Sequence, residues 1–180
     1  ANPFVQPPPR KTAAPLPSLA PPPVASSSAP PAKRPIEALA GSWTGNGRAL
    51  EAVVDGDVLE FRVTDPAQFA PQDYAQGEAR FALRATDEPN VFVVEDHIRP
   101  NPPSGKSFDA RSRGTCQEVW THANGEPLRA RFDGARLSVD FAKIEPTQAN
   151  FVVEGVKITS CVGLRDLKAG KVVSTLTRAE

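Results

Sequence analysis

The pattern of apolar and polar positions changes once along the chain, near Ile36. Beyond Ser42, short stretches alternate with a period of two, the spacing of strands that bury one face. Two of these stretches contain turns that set a register. In ALEAVVDGDVLEFRV, Asp55-Gly56 suits a two-residue type I′ turn, which needs positive φ at both positions. That turn predicts Leu50 opposite Phe61 and Ala52 opposite Leu59, with Glu51, Glu60 and Arg62 on the other face. In LRARFDGARLSVDF, Asp133-Gly134 likewise sets Ala130 against Leu137 and Leu128 against Val139.

Between them, ARFALRA alternates with Ala79, Phe81, Leu83 and Ala85 inward, and DEPN turns it into VFVVEDHI. Further strands are predicted at 116–121, 151–154, 156–162 and 172–177. PIEALAG reads as one helical turn stopped by Gly41, RPNPPSGKS as a loop, and TDPAQFAPQDYAQG as a longer loop with a helical turn. Eight or nine antiparallel strands with one polar face predict an all-β domain: a small antiparallel barrel or a two-sheet sandwich of about eight strands. Trp43, Phe61, Phe81 and Trp120 are its expected large core residues.

Composition sets the first 35 residues apart. Twelve of the 20 prolines precede Ile36, and Phe4, Val5, Leu16, Leu19 and Val24 are too few apolar side chains to offset the entropy of ordering. The expected organisation is a Pro/Ala/Ser-rich extended tail over 1–35, rich in polyproline II, followed by a single antiparallel β domain over 36–180. At about 3.1 Å per residue such a strap reaches roughly 110 Å. The formal net charge of zero hides a split, because Arg10, Lys11, Lys33 and Arg34 stand in the tail with no acid, leaving 17 bases against 21 acids beyond. The tail is therefore about +4 and the domain about −4. A preformed strap can lie along a partner's groove at low entropic cost, which marks Phe4 and Val5 as an apolar anchor and the four bases as electrostatic contacts.

Cys116 and Cys161 are the only cysteines, and an even pair on predicted strands is the pattern of one structural disulfide in an oxidising compartment. The chain begins at Ala1 and contains no methionine, as after signal-peptide removal or loss of an initiator Met. Together these predict an exported protein, periplasmic or extracellular. No apolar run approaches the roughly 20 residues of a membrane span, so no transmembrane segment is expected.

The chemistry-bearing residues are sparse. Only His97 and His122 could serve as base to a serine or cysteine nucleophile, and ITSCVG lacks the G-x-S-x-G spacing of a nucleophile elbow. Asp96, His97 and His122 have no recognised metal-ligand spacing. Glu95, Asp96 and Glu118 could meet as a hydrolytic pair, but in a chain with 21 acids solvated positions are the default. An acidic domain whose bases alternate with acids does not suit nucleic acid. The expectation is no enzyme, no catalytic residue, no metal and no cofactor.

LAGSWTG, residues 39–45, places a Gly-x-Trp at the opening of the first strand after a short helical turn. These seven residues resemble the start of lipocalin-like barrels, and the resemblance implies that Trp43 plugs one end with a late basic residue, Arg165 or Arg178, packed on it. The function expected from all of this is a non-enzymatic structural or adaptor subunit of a cell-envelope or extracellular assembly, of the secretion, pilus or surface-filament type. Its strap would bind neighbouring subunits, either copies of itself or other envelope proteins. The alternative is a lipocalin-like carrier of a small apolar ligand or a periplasmic enzyme inhibitor presenting loops such as 99–107. A third, an envelope hydrolase, needs His97 or His122 beside a nucleophile in a cleft.

Overall fold

The structure, a computed structural model, describes Pro9 and residues 35–180. The chain divides between Ala32 and Lys33 into two units, and apart from Pro9 the description concerns the second. The expected partner-binding residues Phe4, Val5, Arg10, Lys11, Lys33 and Arg34 lie outside the described residues.

The described residues form strands and short 3-10 turns, with no α-helix among them. Five strands run consecutively around a wall: β1 (Gly41–Gly45), β2 (Arg48–Asp55), β3 (Val58–Val63), β4 (Ala79–Ala85) and β5 (Val91–Ile98). A first excursion then carries β6 (Ser107–Phe108), β7 (Glu118–Trp120), β8 (His122–Ala123) and β9 (Glu126–Pro127). The wall resumes with β10 (Arg129–Phe132) and β11 (Arg136–Lys143); a second excursion carries β12 (Phe151–Glu154) and β13 (Lys157–Cys161), and β14 (Gly170–Arg178) completes the wall. Each wall strand pairs antiparallel with the next, and β14 pairs back onto β1. The result is a closed eight-stranded up-and-down barrel rather than a sandwich, with β7 as an extra strand on β5.

Both predicted hairpins form, but each register is shifted by two residues. Ala52 faces Phe61 and Leu50 faces Val63 in the first, and Ala130 faces Val139 in the second. The turns are Gly56-Asp57 and Gly134-Ala135, one residue later than expected. Gly56 and Gly134 have positive φ while Asp57 and Ala135 do not, the pattern of a type II′ turn with glycine first. The aspartate before the glycine holds this geometry in the second hairpin, where Asp133 Oδ1 accepts from the backbone N–H of Ala135 (2.9 Å) and Arg136 (2.7 Å). A shift of two leaves every side chain on its predicted face.

The same shift moves Leu128 off Val139; Leu128 lies just ahead of β10, where its N–H donates to Thr121 O. Ala85 is exposed rather than inward, and Cys116 lies just ahead of β7 instead of on a strand.

Side chains fill the barrel. Trp43, Phe61 and Phe81 are fully buried, Phe61 and Phe81 stack at 4.3 Å between ring centres, and Leu59, Leu83, Val94, Leu128, Leu137 and Val139 complete the layers around them. Trp120 is half-buried, stands opposite Asp96 across the β5–β7 pair and packs against this core. One end is plugged as LAGSWTG implies: a 3-10 turn, Pro35–Leu39, lies beneath Trp43, whose indole N–H donates to Leu39 O at 2.8 Å. Of the two candidate bases it is Arg178 that covers Trp43, with its guanidinium carbon 4.8 Å from the ring centre. Arg178 also donates to Ala40 O (2.9 Å) and Ala38 O, so it ties the 3-10 turn to the last strand. Nearby β1 and β14 approach so closely that a Cβ at Gly45 would lie 2.7 Å from Thr175 O.

Candidate partner-binding groove

The carboxylates that could have formed a hydrolytic pair are each held by an arginine. Glu95 pairs with Arg84, Asp96 with Arg80, and Glu118 with Arg165. His97 lies half-buried on β5 and its carbonyl accepts from the Tyr74 hydroxyl, while the His122 side chain is exposed on β8. Cys116 and Cys161 are joined in a disulfide, which removes Cys161 from consideration as a nucleophile. No cluster of three or more His, Cys, Asp or Glu residues that could hold a metal occurs among the described residues.

The barrel end opposite Trp43 is built differently, because its two long connections fold together. β6 from the first excursion pairs in parallel with β13 from the second, setting Phe108 against Ile158. Phe108, Phe151, Ile158 and Cys116 form a separate small core with Cys161 packed on it, and the disulfide crosses between the two excursions at its centre. Asp109 caps the 3-10 turn Ala110–Gly114 by accepting from the N–H of Arg111 (2.8 Å) and Ser112 (3.0 Å), and this brings Cys116 to its partner.

Both chains leave the disulfide to form the walls of one groove. Gln117 to Gly125 follow Cys116 on one side; Arg165, Leu167, Lys168 and Ala169 follow Cys161 on the other. The groove encloses about 860 Å³. Arg165 Nε donates to Glu118 Oε2 at 2.6 Å, bridging the walls. Trp120 and the exposed Val119 supply apolar surface, and no serine or cysteine lines the groove. The Trp120 indole N–H is shielded from solvent and has no hydrogen-bond partner among the described residues. An unsatisfied buried donor costs roughly 1–3 kcal/mol.

Beside the groove the barrel end is closed by buried charge. Asp96, fully buried, accepts from Arg80 and from the Ala142 N–H (2.9 Å). Burial alone would lower the Arg80 pKa, but the Asp96 charge and hydrogen bond outweigh it and hold the guanidinium above its ordinary range. Arg80 and Arg99 both lie over the Tyr74 ring, at 5.7 and 4.7 Å. Arg99 donates to Gln72 O (3.1 Å), Asp73 O (2.6 Å) and Glu78 Oε1 (2.7 Å), pinning the β3–β4 loop. Burial pushes the Tyr74 phenol above its usual pKa. A pocket of about 170 Å³ at this end is lined in part by Phe69, Arg80 and Phe141.

Strand alternation places Asp96 inward with Phe92, Val94 and Ile98, so a buried counter-charge was foreseeable. Arg80 was not, because it sits where the β3–β4 register breaks: Phe61 faces Phe81 but Arg62 faces Ala79, which leaves Arg80 as the extra residue. The groove had no signal of its own, since its walls come from distant segments brought together by the disulfide between residues 45 apart, the Arg165–Glu118 pair and the β6–β13 pairing. No family model matches the chain, and neither a curated protein nor a solved structure does.

Proposed function

We propose that this protein is a non-enzymatic structural or adaptor subunit of an exported, cell-envelope or extracellular assembly. Its β domain docks against neighbours and its N-terminal strap binds adjacent subunits. The observation that carries this reading is the division of labour in the domain: the barrel interior is filled, while a clamped groove of about 860 Å³ lies on the outside. Recognition at the surface is what an assembly subunit needs. The disulfide favours an oxidising compartment, and the arginine partners of Glu95, Asp96 and Glu118 leave those carboxylates structural work.

The lipocalin-like carrier alternative is weakened by the filled barrel interior, where the pocket lined by Phe69, Arg80 and Phe141 holds only about 170 Å³, below the roughly 300 Å³ at which ligand pockets begin. Its inhibitor form keeps one favourable observation, the cluster of rigidly held loops around Arg99 at that end.

The deciding measurement is the native mass of the full chain by size-exclusion light scattering, with and without residues 1–35. We expect the full chain to associate and the truncated chain to remain folded as a monomer. Assembly unchanged by the truncation overturns the reading, and a monomeric full chain favours the inhibitor.

A further inference from the structure

We propose that the groove between residues 117–125 and 165–169 receives the uncharged centre of the N-terminal segment, residues 12–32, from a second copy of this chain. This rests on the adaptor reading and names the surface that reading leaves open.

Hydrogen-bonding chemistry points to this occupant. The groove's lining offers donors from His122, Asn124 and Lys168. Its carboxylate, Glu118, is already engaged by Arg165. A ligand that suits such a surface brings acceptors. Proline has no N–H, and a polyproline-II segment makes no internal hydrogen bonds, so its carbonyls are free. Trp120 and the exposed Val119 add apolar surface beside these donors. An aromatic-lined groove is the recurrent way of reading proline-rich segments.

The sequence of the segment fits as well. TAAPLPSLAPPPVASSSAPPA, residues 12–32, contains no charged side chain to oppose Arg165 or Lys168. At three residues per turn, polyproline II would put Ala13, Leu16, Leu19 and Pro22 along one edge, about 9 Å apart, as an apolar face for Val119, Trp120 and Leu167. The bases flank this stretch at Arg10, Lys11, Lys33 and Arg34, where they would meet a neighbouring domain of net charge about −4. A groove of about 860 Å³ also lies near the top of the range for small ligands, ample for several residues of extended chain.

The test is sedimentation velocity of the full chain over a range of concentrations. Wild type is compared with Val119→Ser, which removes exposed apolar surface from the groove, and with Leu16→Ser/Leu19→Ser, which leaves the β domain untouched. Each variant should weaken association by about tenfold or more, and excess synthetic peptide of residues 12–32 should return the wild type to monomers. If Val119→Ser fails to fold, the leucine variant and the peptide still decide. Wild-type association in the leucine variant, or failure of the peptide to compete, overturns the proposal. Should removal of residues 1–35 abolish assembly while the groove and leucine variants assemble normally, the adaptor reading stands and this one falls. A wild type that stays monomeric throughout overturns both.

Discussion

Arg80 and Asp96 show how one residue decides the character of a barrel end. A carboxylate at an inward strand position must find a cation and hydrogen bonds or be expelled to water. Asp96 receives both, from Arg80 and from the Ala142 N–H across the barrel. Arg80 in turn lies 4.8 Å from the Phe141 ring centre, so its charge is shared between a carboxylate and two aromatic faces. Removing only the arginine leaves Asp96 buried and uncompensated. Arg80→Met should therefore cost about 3–5 kcal/mol of folding stability. Adding Asp96→Asn should recover more than half of that loss, because asparagine removes the buried charge yet still accepts from Ala142. Urea denaturation of the single and double variants measures both numbers; an Arg80→Met cost below about 1 kcal/mol would show that water reaches Asp96. Half of this pair was legible in the sequence. Asp96 falls on the inward phase of VFVVEDHI, whereas Arg80 reaches the interior through a bulge, which a period of two does not reveal.

At the scale of elements, the wall strands were legible because each carries its own alternation, and the hairpin turns were legible to within one residue. Asn46-Gly47, with φ of 51° and 71°, joins β1 to β2 as the I′ turn that Asn-Gly favours, and GSWTGNG already contained that signal. The excursions were not legible as a unit, since β6 and β13 are two and five residues long and pair across some 50 positions. The disulfide makes them one element, and its loss should separate the fates of groove and barrel. Closing a 45-residue separation is worth about 4 kcal/mol through lost chain entropy. Cys116→Ser/Cys161→Ser should lower the urea midpoint and loosen the groove walls, raising hydrogen exchange over 106–125 and 151–169. The amides of β1 to β5 should remain protected under native conditions. Equal loss of protection in both regions would mean that the barrel depends on the excursions for its own closure.

For the whole molecule the governing feature is the opposition of charge between the first 35 residues and the rest, about +4 against −4, hidden within a net charge of zero. Two copies can satisfy it reciprocally, each strap's bases lying on the other's domain, and such an arrangement adds no net charge as it grows. The contribution is screened by salt, because the Debye length falls from about 10 Å at 0.1 M to about 3 Å at 1 M. The contacts proposed for the uncharged centre, residues 12–32, with Val119, Trp120 and Leu167 would persist, since apolar burial is not weakened by screening. Self-association should therefore weaken as salt rises and then level off at a residual affinity set by the groove. Replacing Arg10, Lys11, Lys33 and Arg34 together by glutamine should bring the low-salt association down to that residual level and make it nearly independent of salt. Light scattering of both chains between roughly 0.1 and 1 M sodium chloride tests this. A salt dependence that survives the four substitutions would place the attraction between domains instead of between strap and domain.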